Sequence, residues 1–361
     1  MSFGQTIRHL IGCIKESALN RLDRLQNIKW ERNFIHKRET GMSYNVTKNR
    51  LEKQQIYDIV RHTFGKDTEV NSYTELLDGF CNTAYRIKLS DGREVVLKVA
   101  PKNGIVMMSC EQGMMQTEVR AMTLARQKGM ECVPIVYAFE ENSFLSGSSY
   151  FIMECLEGDS YAAIKQKLTE EEQQTIDCET GAYLHRLNQL KGERFGYFWM
   201  KELQWDDWFA AFYHLMENII EDGKRVHIDI GTSYETILDR LKQHREYFRE
   251  VEKPSLIHFD SWDGNIFVKN GHFHGMIDWE RAKWADGLME DHFRYHVRNT
   301  AFLEGYGIQE MTKAQRIRCA WYDVYLYLIM MFEGTYRHYE TNDQYVWVHG
   351  LFEKVWEEME V

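Results

Sequence analysis

Residues 257–280, IHFDSWDGNIFVKNGHFHGMIDWE, decide how the rest of the sequence is interpreted. Two short apolar runs, at 266–268 and 273–277, flank the dipeptide Asn270-Gly271. This dipeptide is typical of the tight type I′ turn that joins two antiparallel strands. The stretch therefore predicts a β-hairpin with its turn at Asn270-Gly271.

Three polar residues stand at the ends of this hairpin, and a hairpin requires none of them. Asp260 precedes it, Asn265 starts its first strand and Asp278 follows its second strand. Phosphoryl transfer uses an Asp to orient or deprotonate the acceptor hydroxyl, and Asn and Asp oxygens to bind Mg²⁺. Because the hairpin brings its two ends together, the pattern predicts Asp260 as the catalytic residue and Asn265 and Asp278 as metal ligands.

A second pair of polar residues lies upstream, in a segment rich in predicted strands. Lys98 stands inside the apolar strand at 94–100, and Glu118 follows twenty residues later in a predicted helix. A Lys that binds the nucleotide phosphates and is oriented by a helix Glu is the arrangement that phosphoryl transfer needs. Taken alone, Lys98 could equally be an outward residue of an edge strand.

The secondary-structure pattern changes near Gly158. Strands are predicted at 73–77, 84–89, 94–100, 135–139 and 149–155, and helices at 51–64, 116–127, 205–221, 233–250, 287–303 and 313–338. A capping box at Thr169 opens a further helix. We expect an α+β protein with an N-terminal extension of uncertain role at 1–48, a small β-rich lobe at 49–155 and a larger, mostly helical lobe at 156–361.

The order of these parts resembles the aminoglycoside phosphotransferase and choline kinase superfamily, the protein-kinase-like kinases of small molecules. The resemblance covers residues 70–335 and rests on the segment His258 to Asn265, on Asp278-Trp279-Glu280, and on Lys98 with Glu118. It implies a bilobal protein-kinase-like fold, with ATP or GTP and Mg²⁺ as cofactors in the cleft between the lobes.

The resemblance also implies roles for two segments of the first lobe. Residues 76–85 resemble the loop that covers the phosphates, which places Gly79 and Asn82 at the nucleotide. Residues 151–158 resemble the hinge that binds adenine, which places Glu154 and Leu156 there. The loop contains a single Gly, so the motif leaves the choice between ATP and GTP open. Asp286 and Asp291 resemble a following segment that is chiefly structural.

The acceptor of the phosphate is less well specified. Residues 156–361 contain 23 basic and 37 acidic residues, whereas residues 1–155 carry a net charge of +3. An acidic second half suits a cationic small molecule, although solubility alone also explains it. Asp263 in the catalytic loop and Asp323 in an aromatic helical segment are the predicted substrate residues.

Several classes of function fit the sequence poorly. General nucleic-acid binding requires a basic face, which this acidic chain of net charge −11 does not predict. Its longest apolar run, 324–332, is too short for a membrane span and predicts a buried helix. Seven dispersed cysteines and no visible signal peptide favour a reduced, cytoplasmic location.

We therefore expect a phosphotransferase that moves the γ-phosphate of ATP or GTP to a hydroxyl group of a small molecule, with an aminoglycoside-like or other cationic compound as a candidate acceptor. Two alternatives stay open at this point. One is a choline or sugar kinase, because relatives use such acceptors. The other is a nucleotide-binding regulatory protein without catalytic activity, although a binding scaffold has no need of Asp260. A protein kinase is disfavoured, since no A-P-E-like segment follows Asp278.

Overall fold

The computed structural model describes residues 48–77, 81–102 and 104–359. The predicted extension at 1–48 lies outside these residues, apart from Lys48, and so does Gly79. The helices are α1 Lys53–Phe64, α2 Met114–Gln127, α3 Tyr161–Ile164, α4 Glu170–Asn188, α5 Trp208–Arg225, α6 Tyr234–Gln243, α7 Thr300–Tyr306, α8 Lys313–Tyr336 and α9 Asp343–Glu358. The strands are β1 Val70–Leu76, β2 Thr83–Leu89, β3 Glu94–Val99, β4 Val136–Ser143, β5 Ser148–Glu154, β6 Asp159–Ser160, β7 Phe195–Tyr197, β8 Gln204–Trp205, β9 Ser255–Ile257, β10 Ile266–Lys269, β11 His272–Met276 and β12 Lys283–Ala285.

The first five strands form one antiparallel sheet in the order β1-β2-β3-β5-β4. Helix α1 covers one face of this sheet with Ile56, Ile59 and Val60, which recur at helical spacing. On β3, the side chains of Val95, Leu97 and Val99 join the same cluster. Because neighbouring strand residues point to opposite faces, Val96 and Lys98 face the other way. Lys98 therefore lies on a central strand, on the face opposite α1, and only 6% of it is exposed.

The rest of the chain is mostly helical and contains two small sheets. One has the order β8-β7-β12-β9, and the other pairs β10 with β11 and with β6. Helix α8 is buried over much of its length, and its segment from Val324 to Ile329 is in the core. The prediction of a buried helix at 324–332 is confirmed. Thr169 caps α4 through the predicted capping box, in which its hydroxyl accepts from the Glu172 N–H.

The predicted hairpin is β10 and β11. Ile266 pairs with Met276 and Lys269 pairs with His272, and one register shift interrupts the ladder. Asn270 and Gly271 both have positive φ angles, 55° and 78°, as a type I′ turn requires. The hairpin therefore ends with its tip at Asn270-Gly271 and its open end at the residues that carry Asn265 and Asp278.

The mixed α+β class is confirmed, but the helical predictions are less accurate near the C-terminus. The helix predicted at 287–303 is wrong, because this segment forms two short 3₁₀ turns and α7 begins only at Thr300. Glu290 in this segment is turned inwards to bind backbone N–H groups, which a regular surface helix would not allow. The helix predicted at 233–250 ends at Gln243, and α9 was not predicted at all.

Among the residues that the structure describes, no helix combines the length and the apolar character that crossing a membrane requires.

Candidate active site

Lys98 links both halves of the predicted site. Its Nζ donates to Glu118 Oε1 at 2.6 Å and to Asp278 Oδ1. Burial lowers the pKa of Lys98, but the carboxylates of Asp278 and Glu118 raise it by more, so the net direction is upwards. Lys98 is therefore a permanent cation at the junction of β3, α2 and the segment after the hairpin.

The catalytic loop begins where β9 ends, and Glu290 holds it in place. Phe259 has a φ of 69°, an uncommon conformation for a residue other than Gly. The Glu290 carboxylate accepts hydrogen bonds from the N–H groups of His258 and Phe259, each at 2.9 Å. It also accepts from Asn188 Nδ2 at 3.1 Å. Burial raises the pKa of Glu290 to about 7, while these hydrogen bonds oppose the shift.

Glu290 is a site residue that sequence reasoning missed. The resemblance pointed to Asp286 and Asp291 in this segment, and Glu290 lies between them. A carboxylate inside an otherwise apolar run was the available signal, since a buried acid requires donors. Tertiary contacts decide which of the neighbouring acids turns towards the catalytic loop. The spacing of apolar residues in the sequence gives no information about those contacts.

Asn265 is oriented by Asp260. Its Nδ2 donates to the Asp260 carbonyl oxygen at 2.8 Å and to Asp260 Oδ2 at 3.2 Å. The backbone carbonyl of Asn265 accepts from the Ile277 N–H at 3.0 Å, which joins the two ends of the hairpin. None of the described residues donates a hydrogen bond to the side-chain oxygen of Asn265. That oxygen is available for a cation.

Asp278 occupies a strained position at the end of the hairpin. Its backbone is left-handed, with φ 62° and ψ 56°, a conformation that Asp tolerates better than most residues. The preceding carbonyl, that of Ile277, accepts from His258 Nε2 at 3.0 Å. His258 thus braces the catalytic loop against the segment that carries Asp278, and 31% of the Asp278 side chain stays exposed.

Asp260 lies beside these groups and is partly exposed. Burial raises the pKa of its carboxyl, the guanidinium of Arg281 lowers it, and the carboxylate of Asp278 raises it again. The net shift is upwards, which favours a group that exchanges a proton. The structure therefore brings together Asp260, Asn265, Asp278, Lys98 and Glu118.

Negative charge is in excess around Lys98. Glu280 also lies close to Lys98, so one ammonium group faces three carboxylates. Burial raises the pKa of Glu280 to about 8, and Lys98 only partly opposes this shift. Glu280 was not predicted as a site residue. A cluster of three acidic side chains around one Lys fits a divalent cation, which would favour their ionised forms.

The described residues include candidate ligands for an open metal site and no closed metal site. No group of three or more His, Cys, Asp and Glu side chains in this part of the chain is arranged to hold a metal ion. Mg²⁺ is normally bound by one or two protein carboxylates, with waters and substrate phosphates as its other ligands. Asn265 and Asp278 fit that requirement.

The loop that is predicted to cover the phosphates contacts the site through Asn82. Its Nδ2 donates to Glu280 Oε2 at 2.9 Å, and its backbone carbonyl accepts from Lys48 Nζ at 2.6 Å. Asn82 is therefore near the residues predicted to bind nucleotide, whereas Gly79 lies outside the described residues. The loop connects the first lobe directly to the Asp278-Trp279-Glu280 segment.

Glu154 and Leu156 lie in the connection that follows β5. Glu154 is the last residue of β5, and its carboxylate accepts from the Ile135 N–H at 3.1 Å. The Leu156 N–H donates to no described residue. A free backbone donor in this connection is what the hinge prediction requires.

The two predicted substrate residues lie in different surroundings. Asp263 forms an ion pair with Lys165 Nζ at 2.6 Å, next to the catalytic loop. Asp323 is 2% exposed and accepts from the Tyr295 N–H at 3.0 Å, with Arg294 Nη1 at 3.5 Å. The structure does not bring Asp323 to the group around Asp260.

Asp291 differs from Asp323 in its hydrogen-bond partners. It is 8% exposed, and none of the described residues donates a hydrogen bond to its carboxylate. Burial raises its pKa to about 8, with the Asp260 carboxylate as the next cause. Asp291 is therefore an acid without a described hydrogen-bond donor, and the charge of Asp260 acts on it.

Comparison with known proteins identifies the family. The sequence profile described as "Phosphotransferase enzyme family" matches residues 72–290, more than half of the chain. This chain belongs to the phosphotransferase enzyme family. The match includes Lys98, Glu118, Asp260, Asn265 and Asp278, and no curated protein matches the chain.

Solved structures show the fold of this phosphotransferase. A thermostable mutant of aminoglycoside phosphotransferase APH(4)-Ia, in complex with AMP-PNP and hygromycin B, is 18% identical and has a TM-score of 0.59. The match covers 83% of this chain and 97% of that one. The complex of APH(2")-IIa with streptomycin and ATP is 16% identical with a TM-score of 0.55, covering 84% and 97%. A Thermobifida fusca protein assigned by name as a fructosamine-3-kinase is 14% identical with a TM-score of 0.56, covering 84% and 98%.

The kinase-like fold predicted from the sequence is thereby confirmed for this phosphotransferase, as is its membership of the superfamily. AMP-PNP, ATP, hygromycin B and streptomycin are ligands of those proteins. At these identities the structural likeness establishes the fold of this chain, while its nucleotide and acceptor are matters for proposal.

Proposed function

We propose that this phosphotransferase transfers the γ-phosphate of ATP or GTP to a hydroxyl group of a small, cationic acceptor. The observation that supports the proposal most is the arrangement around Asn265. Its amide nitrogen is fixed on Asp260, none of the described residues donates to its side-chain oxygen, and its backbone carbonyl accepts from Ile277, the residue before Asp278. A base and two hard oxygen ligands are thus oriented together.

Each residue of the site has a separate role in the reaction. The acceptor oxygen attacks the γ-phosphorus, its proton passes to the Asp260 carboxylate, and the bond between the γ-phosphorus and the β–γ bridging oxygen breaks with the electron pair going to the departing nucleoside diphosphate. Lys98 binds the phosphates and is oriented by Glu118, as in other phosphoryl-transfer sites. Asn82 lies beside the phosphates, and Glu154 and Leu156 receive the base.

Mg²⁺ supplies charge neutralisation at the phosphates when it is bound. Asn265 and Asp278 are the ligands that we assign to it, and the three carboxylates around Lys98 support a cation there. Glu280 offers a further oxygen, although Asn82 now donates to that side chain.

The acceptor's charge is inferred from Asp291. An unpaired, nearly buried carboxylate beside the catalytic residue favours an acceptor that carries an amine near its reactive hydroxyl. Asp263 is a weaker candidate because Lys165 already neutralises it. Aminoglycosides, amino sugars and choline-like alcohols all satisfy this chemistry, so the proposal specifies a class of acceptor.

A transfer assay tests the proposal. The purified protein is incubated with ATP or GTP, Mg²⁺ and a panel of amino alcohols, amino sugars and aminoglycosides, and phosphorylated products are detected by mass spectrometry. Matched neutral sugars and alcohols serve as controls. We expect nucleotide-dependent phosphorylation of at least one cationic acceptor, lost in Asp260→Asn. Nucleotide binding without transfer to any acceptor would favour the regulatory alternative.

A further inference from the structure

A chain of four buried charges runs between the two lobes. Arg281 Nη2 and Arg337 Nη2 both contact Glu333 Oε1 at 2.9 Å, and Arg337 Nη2 also contacts Glu111 Oε1 at 2.6 Å. None of the four side chains is more than 11% exposed. Burying ion pairs is costly, and apolar residues of similar size often replace them without loss of stability. A contribution to stability alone is therefore a weak explanation for these four buried charges.

One end of the chain fixes the segment that precedes α2. Glu111 belongs to the 3₁₀ turn Ser109–Glu111, and its Oε2 accepts from the Met108 N–H at 2.9 Å. The same turn is bound to α5, because Asp222 Oδ2 accepts from the Ser109 N–H at 2.7 Å and from its hydroxyl at 2.6 Å. The N-terminus of α2 is thus attached to α5 and to Arg337, the residue directly after α8, in the other lobe.

Gly113 gives this segment a second point of attachment. It has a φ of 64°, and a Cβ atom built on it would lie 2.9 Å from the Trp199 ring. Trp199 Nε1 donates to the Gly113 carbonyl at 3.3 Å. The polypeptide backbone is therefore in tight contact with the second lobe where α2 begins. Helix α2 has little freedom to shift at this end.

Helix α2 carries Glu118 little more than one turn after its first residue, Met114. A displacement of the N-terminus would move Glu118 with it, because a helix of this length behaves as a rigid rod over one turn. Glu118 is buried, and its Oε1 accepts from Lys98. The position of Lys98 therefore depends on how α2 is held.

The other end of the chain is at the acceptor side of the cleft. Arg281 ends the 3₁₀ turn Trp279–Arg281 that follows Asp278. Burial lowers its pKa, but the Asp260 carboxylate and then Glu333 raise it by more. The charge of Asp260 thus acts on Arg281 without an ion pair between these two described side chains, while Asp278 in the same segment contacts Lys98. The charges form a continuous path from the acceptor side to the nucleotide side.

We propose that the chain Arg281–Glu333–Arg337–Glu111 couples the acceptor side of the cleft to helix α2, so that Glu111 and Arg337 are positioning residues for Lys98. The coupling to the acceptor rests on the proposed function, whereas the effect of Glu111 and Arg337 on nucleotide binding does not. An acceptor that displaces Arg281 changes the position of α2, and the nucleotide then binds with a different affinity. Coupling between two sites is reciprocal, so the nucleotide must alter acceptor affinity by the same factor.

The test compares nucleotide affinity in variants that break the chain. Glu111→Gln and Arg337→Gln each remove one charge between the lobes without touching the predicted nucleotide contacts. Calorimetry with Mg-ADP should show a Kd raised about 5-fold or more, within the usual range of 5–150-fold for coupled sites. The double variant should resemble the single variants, because each breaks the same connection. Arg337→Lys should restore part of the affinity.

Arg318→Gln is the matched control. It removes a buried Arg from α8, the helix that ends directly before Arg337. Arg318 Nε donates to Asp286 Oδ2 at 2.8 Å, and no part of α2 is involved. We expect a lower unfolding temperature and an unchanged nucleotide Kd. Ser109→Ala, which removes only the hydroxyl bond to Asp222, covers the case in which the charge variants do not fold. It should weaken nucleotide binding in the same direction.

Two results would overturn the inference. The first is a wild-type Kd in Glu111→Gln, Arg337→Gln and Ser109→Ala, with only their stability lowered as in Arg318→Gln. The second is full additivity in the double variant, which would mean that the two residues act independently. A protein that binds nucleotide but phosphorylates no acceptor would contradict only the proposed function. The comparison of nucleotide Kd values would still test the role of Glu111 and Arg337.

Discussion

Lys98 and Asp278 are 180 residues apart in the sequence, and their side chains are in direct contact. Glu118 completes the contact from α2, so three separate segments meet at one ammonium group. In the proposed reaction, the substrate phosphates enter this cluster and Lys98 binds them. The first three predictions concern this group of charges and the base beside it.

Lys98→Met should lower kcat/KM for nucleotide by about 10²–10³-fold, because it removes a charged donor from a site with little water. Steady-state kinetics with varied ATP or GTP measure this loss. The mutation also leaves the carboxylates of Glu118, Asp278 and Glu280 without their cation. The variant should therefore be less stable at pH 8 than at pH 6, and urea unfolding at both pH values checks this. Unchanged nucleotide kinetics would show that Lys98 is structural.

Asp278→Asn should abolish metal-dependent transfer and leave the fold intact. Asn is the preferred substitute because, like Asp, it tolerates the left-handed backbone at this position. One negative charge fewer around Lys98 reduces repulsion, so we expect the unfolding temperature to be equal or higher. A titration of activity with Mg²⁺ provides the measurement. Activity with an unaltered Mg²⁺ dependence would remove Asp278 from the metal site.

Asp260→Asn should lower kcat by about 10²–10⁴-fold, the usual contribution of a general base. The nucleotide Kd should change little, because Asp260 faces the acceptor. Single-turnover kinetics and calorimetry separate the two quantities. Should nucleotide affinity collapse while kcat persists, Asp260 would be a metal or structural residue.

Asp291→Asn should raise KM for cationic acceptors and leave neutral acceptors unaffected. It should also change how stability depends on pH. The pKa of Asp291 is raised from 3.8 to about 8 in the folded protein. Its stabilising contribution is therefore full below pH 3.8, declines as pH rises above it and is lost by about pH 8. Urea unfolding from pH 4 to 8 should show a flatter profile in Asp291→Asn than in the wild type.

Asp323→Asn provides the comparison for Asp291. Its carboxylate accepts from the Tyr295 N–H and lies near Arg294, away from Asp260. We expect a loss of stability without a change in acceptor KM. An acceptor KM that rises in Asp323→Asn and not in Asp291→Asn would restore the original assignment of Asp323 and refute that of Asp291.

Local sequence patterns predicted the parts of the site that depend on strand geometry. Alternation on β3 separates Lys98 from the residues that face α1, and the turn at Asn270-Gly271 places Asn265 beside Asp278. The first relationship follows from the alternation of side chains between the two faces of a strand, and the second follows from the type I′ turn. Both are properties of short segments, so no knowledge of the rest of the chain was required.

The remaining parts depend on contacts between distant segments. The run that contains Glu290 has residues at helical spacing, yet the backbone turns so that this carboxylate binds His258 and Phe259. Asp323 and Asp291 are both acids in apolar surroundings, and only their tertiary partners distinguish them. Helix α9 is a different case, because Val348, Leu351, Phe352 and Val355 form a regular buried face that the sequence already contained.

The hairpin formed by β10 and β11 also determines where the gene could accept extra codons. Its tip at Asn270-Gly271 is exposed or partly exposed, whereas its open end carries Asn265 and Asp278. Residues added in the turn lengthen the loop and leave the paired strands in register. A single residue inserted between Asn265 and Ile266 would instead shift one strand by one position and turn its side chains to the opposite face. The tip is thus a suitable place for a fluorescent or affinity peptide in an active enzyme, and the segment next to Asn265 is not.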